Sequence, residues 1–184
     1  ESLTDHKPVL MKWIPSYHHI DLGDPNIKNF YSWLAKQNLP LLCHVGPEFA
    51  YSESYKEMNK HRDDFKNLTF PLQAGLNVIA PHCVSPFFAF DKDEVDEFIK
   101  FMNQWNKSNA KNKLWVDNSG TCNPTTFLGA DNSFMFPRVS RMREYAKRFP
   151  KEYMLYGTDF PVPVADDRAV TQVPNTTKEQ EKKL

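Results

Sequence analysis

The sequence predicts an α/β fold, built as a parallel β/α barrel. Short apolar segments that resemble buried strands end in a polar side chain able to bind metal. The best is Leu-Pro-Leu-Leu-Cys-His-Val-Gly at residues 39–46, which carries His44, and similar segments end in His82 and Asp159. Parallel β/α barrels place their reactive side chains at the carboxyl ends of their strands. Three such endings in order predict one shared site.

Regular spacing is the second observation. The predicted strand ends are 32, 38, 35 and 42 residues apart, at Lys12, His44, His82, Asp117 and Asp159. A βαβ unit takes about 30 residues or more, and alternating strands and helices predict a parallel sheet. A closed eight-stranded barrel needs about 250 residues. We therefore expect a TIM-type (β/α)8 barrel with about strands 4–8 present and the N-terminal strands absent. It would occupy residues 1–165, with a polar tail at 166–184.

The first half of the chain holds the first three predicted strands. Residues 8–13 form the first, and Asp24 and Pro25 then start a helix as N-cap and first helical residue. The apolar face of that helix is Ile27, Phe30, Trp33 and Leu34. Residues 47–67 are polar, with helical pieces and little core, and have the length of a substrate lid. Gly75 is the expected C-cap before the strand to His82.

The second half continues the alternation. Residues 91–106 give the clearest helical pattern, and 114–117 the fourth strand. Phe136 and Pro137 open another helix, and a last strand reaches Gly157. The apolar positions of these two helices are Val95, Phe98, Ile99, Met102, Trp105, Val139, Met142, Ala146 and Phe149. The polar composition of the last residues predicts disorder there.

Composition excludes some classes of function. The 23 basic and 23 acidic residues balance, so nothing favours nucleic acid or an anionic membrane as partner. No apolar run reaches the length of about 18 residues expected of a transmembrane helix. Cys43, Cys83 and Cys122 form no CxxC pair, which favours buried thiols in a reducing compartment. A cytoplasmic location follows as the expectation.

Histidines and an aspartate that converge from separate strands suit a divalent metal, with zinc as the first choice. We predict His44, His82 and Asp159 as ligands, and one or two ions in the site. A bound metal lowers the pKa of water to about 7 and polarises a carbonyl oxygen. Asp159 would also act as the base, with His82 as a second catalytic residue. Lys12 either orients substrate or, as a carbamate, bridges two metals.

Other polar and aromatic residues lie near the predicted strand ends. Trp13 and Glu48 are candidate substrate contacts. His18 and His19 are adjacent, so in an extended chain they point in opposite directions and cannot form an HxH pair. Asp117 ends its strand with no predicted partner.

Together, four segments resemble the amidohydrolase superfamily, in its amidohydrolase-related branch of metal-dependent hydrolases and decarboxylases. They are Lys-Trp-Ile-Pro at 12–15, Leu-Leu-Cys-His-Val-Gly at 41–46, Ile-Ala-Pro-His-Cys at 79–83 and Tyr-Gly-Thr-Asp-Phe-Pro at 156–161. The resemblance implies strands four, five, six and eight of the barrel. It also implies His44 as metal ligand, Asp159 as ligand and base, and His82 as second-metal ligand or electrophile. Family members carry an HxH pair that is missing from these 184 residues, so a fragment is expected.

The predicted function is hydrolysis of an amide, lactone or ester of a small-molecule substrate. One alternative is non-oxidative decarboxylation on the same scaffold, favoured by the aromatic residues Trp13, Tyr17, Phe87 and Phe88. The other is an inactive truncated fragment with a binding role, in which open sheet edges invite a partner or a homo-oligomer.

Overall fold

The computed structural model describes residues 8–46, 60–84, 92–108, 111–119 and 147–157. Within them lies a five-stranded sheet in the order β1-β2-β3-β4-β5, with every neighbouring pair parallel. The strands are β1 (Met11–Trp13), β2 (Leu41–Cys43), β3 (Val78–Ala80), β4 (Leu114–Asp117) and β5 (Met154–Leu155). The α/β class and the parallel sheet are thus confirmed.

Helices alternate with these strands. The α-helices are α1 (Pro15–His18), α2 (Lys28–Lys36), α3 (Thr69–Gln73) and α4 (Lys92–Lys107). Short 3₁₀ turns cover Pro25–Ile27, Lys60–Asp63, Phe65–Leu68, Pro81–Cys83 and Lys151–Tyr153. None of the helices in these ranges has the length and hydrophobicity needed to span a lipid bilayer.

The start and end of α2 follow the local sequence signals. The Asp24 carboxylate accepts a hydrogen bond from the Asn26 amide at 2.8 Å, and Pro25 opens a 3₁₀ turn that leads into the helix. Asn38 ends it with a φ of 55°, a left-handed value that asparagine tolerates better than most residues. Gly75, with a φ of 94°, likewise follows α3 as predicted.

The two faces of the sheet differ in burial. One face packs against the helices and is fully buried, with Leu41, Cys43, Val78, Ala80, Leu114 and Val116. The other face carries Lys12, Leu42, Ile79 and Trp115, which align in register and stay partly or largely accessible. Successive side chains along a strand point to opposite faces of the sheet. The position of a residue in this register therefore determines the face on which its side chain lies.

The end of the long polar segment contributes to the core, contrary to the prediction. Phe65 is buried and packs edge-on against Phe98 of α4, with ring centroids 5.5 Å apart. Asp63 is buried too: its carboxylate accepts from the Ser16 amide at 3.2 Å, and its carbonyl accepts from the Gly46 amide at 2.7 Å. These two hydrogen bonds join Asp63 to Ser16, which follows β1, and to Gly46, which follows β2.

Several predictions lie outside the described residues. They concern Glu48, Asp159, Cys122, most of the helix that opens at Phe136, and the tail at 166–184. The expectation of a lid over residues 47–67, of which 47–59 lie outside the described residues, and the domain boundary at 165 also stay predictions. Of the predicted Phe136 helix, Lys147 and Arg148 are helical, and Phe149, just beyond them, is buried in the core.

Candidate functional site

His44 and His82 lie side by side beyond the carboxyl ends of β2 and β3. His44 follows β2 directly, and its amide donates to the Trp13 carbonyl at 2.9 Å, which extends the ladder between β1 and β2. His82 lies in the 3₁₀ turn after β3. Their ring centroids are 5.8 Å apart, and both residues are buried. The structure therefore brings together two of the predicted ligands.

The environment of His44 opposes a positive charge. Burial, as the largest cause, and the neighbouring His82 and Lys12 together lower the pKa of its imidazole to about 3. His44 is thus neutral at physiological pH. A neutral imidazole offers a nitrogen lone pair, which both metal binding and general-base chemistry require.

The backbone that carries His82 has an unusual conformation. His82, Cys83 and Val84 have φ values of 59°, 47° and 67°, all in the left-handed region. Valine is β-branched and rarely adopts such a value. Conformations of this kind cost on the order of 1–3 kcal/mol each and persist where surrounding contacts impose them. The contacts that do so here come from β4.

Asp117, at the end of β4, accepts hydrogen bonds from the His82 backbone and from Ser119. Its Oδ1 atom accepts from the His82 amide at 3.0 Å, from the Ser119 amide at 2.9 Å and from the Ser119 hydroxyl. The prediction that Asp117 has no partner was wrong. Its partner His82 is 35 residues away in sequence, beyond the reach of a local pattern, whereas its partner Ser119 is two residues away.

Ser119 completes the contact with His82. The Nδ1 atom of His82 lies 2.8 Å from the Ser119 carbonyl oxygen and 3.0 Å from the Ser119 hydroxyl oxygen. Ser119 is buried as well. Sequence reasoning missed this residue. The available signal was the Asp-Asn-Ser run at 117–119 after a strand, which is typical of an aspartate that bonds to the backbone two residues on.

Lys12 and Trp13 lie on opposite faces of the sheet. Lys12 aligns with Leu42 on the accessible face, and its charge acts on His44. Trp13 aligns with the buried Cys43, and its ring stacks on Phe30 of α2 at 5.6 Å. The Trp13 side chain therefore packs α2 against the sheet. Its contact with substrate stays a prediction, as does the carbamate at Lys12.

Gly157, the described residue nearest to Asp159 in sequence, approaches the same cluster. The Gly157 amide donates to Asn118 Oδ1 at 3.2 Å. A Cβ atom at Gly157 would lie 2.8 Å from Cβ of Ser119, so only glycine fits this close approach. Asp159 follows two residues later in the sequence.

His18 and His19 do not lie in extended chain, as the sequence argument assumed. His18 ends α1, and its Nδ1 accepts from the Ile14 amide at 3.1 Å. His19 has a φ of 53°. Both are exposed.

The cysteines beside the histidines are buried thiols. Cys43 and Cys83 are free, and burial raises the pKa of both, that of Cys83 to about 12 with a further contribution from Asp117. A nucleophilic cysteine needs a lowered pKa. These two thiols are therefore packing residues.

The histidine pair has a spacing that suits one shared ion. Two imidazoles on a tetrahedral zinc, with Zn–N distances of about 2.0–2.1 Å, place their ring centroids about 5 Å apart. The observed 5.8 Å is close to that value. Among the residues that the structure describes, no group of three or more histidine, cysteine, aspartate or glutamate side chains could hold a metal. A metal held by this pair would need further ligands from outside these ranges.

No protein-family model matches the chain, and no curated protein is significantly similar to it. The candidate site consequently rests on its own geometry.

Proposed function

We propose that this chain is part of a metal-dependent hydrolase of the amidohydrolase type. One observation carries the proposal: two buried imidazoles, one of them kept neutral, lie side by side at the carboxyl ends of neighbouring parallel strands. Parallel β/α folds hold their reactive groups at this end of the sheet.

The proposal includes a barrel. Among the described residues, the five strands are adjacent in space in the order of the sequence and all parallel, as in a singly wound β/α barrel. The accessible face with Lys12, Leu42, Ile79 and Trp115 would be the barrel interior. The helix-covered face would be the outside.

In the proposed mechanism, His44 and His82 would hold a divalent ion, with zinc as the first choice, and Asp159 would complete the set of ligands. The ion would lower the pKa of a bound water to about 7 and polarise the substrate carbonyl. Asp159 would accept the proton of the attacking water and deliver it to the leaving group. Lys12, beside His44, would orient an anionic part of the substrate. The substrate is a small molecule with an amide, lactone or ester bond.

Zinc titration of the purified chain by calorimetry tests the proposal. We expect binding near one equivalent, weakened at least about tenfold in His44→Ala and in His82→Ala because each removes a ligand. His18→Ala is the matched control, since it removes an exposed imidazole outside the pair and leaves the affinity unchanged. Absence of zinc binding, or equal affinity in all three variants, contradicts the proposal.

A second assay separates the two chemistries of this scaffold. The zinc-loaded chain is offered lactones, amides and esters in one series and hydroxybenzoate-like acids in another. Opening of the first series supports hydrolysis, and carbon dioxide release from the second supports decarboxylation. Trp13 packs against α2, which weakens the aromatic argument for decarboxylation, so hydrolysis remains the primary proposal.

A further inference from the structure

We propose that Asp117 and Ser119 are positioning residues that hold His82 with its ring hydrogen on Nδ1 and its lone pair on Nε2. This tautomer does not depend on the proposed function. Only the role of the Nε2 lone pair as a metal ligand rests on the proposed function.

The identity of the partners fixes the direction of the hydrogen bonds. A carbonyl oxygen only accepts, so the 2.8 Å contact between His82 Nδ1 and the Ser119 carbonyl requires a hydrogen on Nδ1. The Ser119 hydroxyl donates its single hydrogen to Asp117, and can then only accept from Nδ1 at 3.0 Å. Both contacts therefore place the hydrogen on the same nitrogen.

Asp117 holds both sides of this contact in place. Its Oδ1 atom accepts from three donors, which is the behaviour of an ionised carboxylate. One donor is the His82 amide and the other two belong to Ser119. A single buried side chain thus fixes the backbone that carries the imidazole and the residue that accepts from it.

The backbone at His82 is left-handed, and hydrogen bonds from outside this turn are needed to hold it in that conformation. Three consecutive non-glycine residues with positive φ would relax without an external restraint. The Asp117 bond to the His82 amide supplies that restraint. The tautomer matters because a histidine binds metal or accepts a proton through the nitrogen that carries the lone pair, and the bond made by the other nitrogen selects it.

Nitrogen-15 NMR of the histidine-labelled chain tests the inference directly, because ring nitrogens with and without hydrogen resonate far apart. The chain is kept metal-free with EDTA at neutral pH, and the signals of His82 are assigned by their loss in His82→Gln. We expect hydrogen on Nδ1 and none on Nε2. The opposite pattern overturns the inference.

Variants show which residues impose the tautomer. Asp117→Ala removes the acceptor of both amides, so we expect a mixture with the Nε2–H form, which is favoured by free histidine in water. Asp117→Asn keeps an acceptor oxygen and should restore most of the Nδ1–H form. Asn118→Ala, in the same turn, removes the acceptor of the Gly157 amide but keeps Asp117 and Ser119, so it should leave the tautomer unchanged.

A second route covers the case in which Asp117→Ala does not fold. Gly157→Ala pushes a methyl group against Ser119, whose Cβ would be 2.8 Å away, and should displace the acceptor of Nδ1. If every folded variant among Asp117→Ala and Gly157→Ala keeps the wild-type tautomer, the positioning role is refuted.

Zinc affinity of the same variants separates this inference from the proposed function. We expect Asp117→Ala to weaken zinc binding about 10- to 100-fold, as is typical when the partner of a liganding histidine is removed. A wild-type chain with hydrogen on Nδ1 that binds no zinc would refute the metal site and leave the positioning role standing.

Discussion

Acidification from pH 7 to pH 5 should destabilise the fold through His44. The pKa of this imidazole is about 3 in the folded chain, against an ordinary value of 6.5 when the chain is unfolded. At pH values between 3 and 6.5, the His44 imidazole is protonated in the unfolded state and neutral in the folded state. Stability is therefore fully present above pH 6.5 and is lost as the pH falls towards 3.

The size of the loss follows from that window. Each pH unit below 6.5 costs about 1.4 kcal/mol, so His44 removes about 2 kcal/mol from the free energy of unfolding by pH 5. Since pH 5 lies well above the folded pKa, this magnitude depends on the unfolded value alone. Among the described residues, His82 and Lys12 both oppose the protonation of His44.

Urea unfolding at both pH values, with EDTA present, measures this quantity. His44→Gln is the matched variant, because its amide carries no charge at either pH. The wild-type chain should lose about 2 kcal/mol more than the variant between pH 7 and pH 5. Equal losses in the two proteins would refute the reasoning, and would mean that His44 is protonated at its ordinary pH in the folded chain.

Three further substitutions test the packing of the fold, each by urea unfolding at pH 7. Leu34→Ala creates a cavity under α2 at a fully buried position and should cost about 2–5 kcal/mol, whereas Ser32→Ala on the exposed side of that helix should cost little. Asn112→Ala removes the side-chain amide that donates to the buried carbonyls of Leu72 and Leu76, of which that of Leu72 keeps the Gly75 amide as a donor, and should cost about 1–3 kcal/mol. Asp24→Ala removes the cap before α2 and should cost about 1 kcal/mol. Losses below half of these values would contradict the assigned contacts.

The sequence was sufficient to predict features that are determined by residues close together in the chain. Apolar runs with a histidine at the end predicted β2 and β3, because buried parallel strands need continuous apolar residues. Asp24 and Pro25 predicted the start of the α2 region, because capping acts within a few residues. The pairing of His44 with His82 was also predictable in outline, since neighbouring parallel strands end at the same edge.

The orientation of Trp13 could have been predicted and was not. His44 lies on the face of Leu42, which aligns with Lys12, and strand alternation then turns Trp13 to the opposite face. The left-handed backbone at 82–84 was beyond prediction. Local propensity opposes it at a valine, and the bond that imposes it comes from Asp117, far along the chain.

The order of the sheet bears on how the chain acquires its structure. Every described strand pairs with the strand that precedes or follows it in sequence, so each pairing closes a loop of similar, modest length. Topologies dominated by such near-neighbour pairings fold faster than those that join distant segments. The described strands can therefore pair in the order in which they are synthesised, each with the one before it.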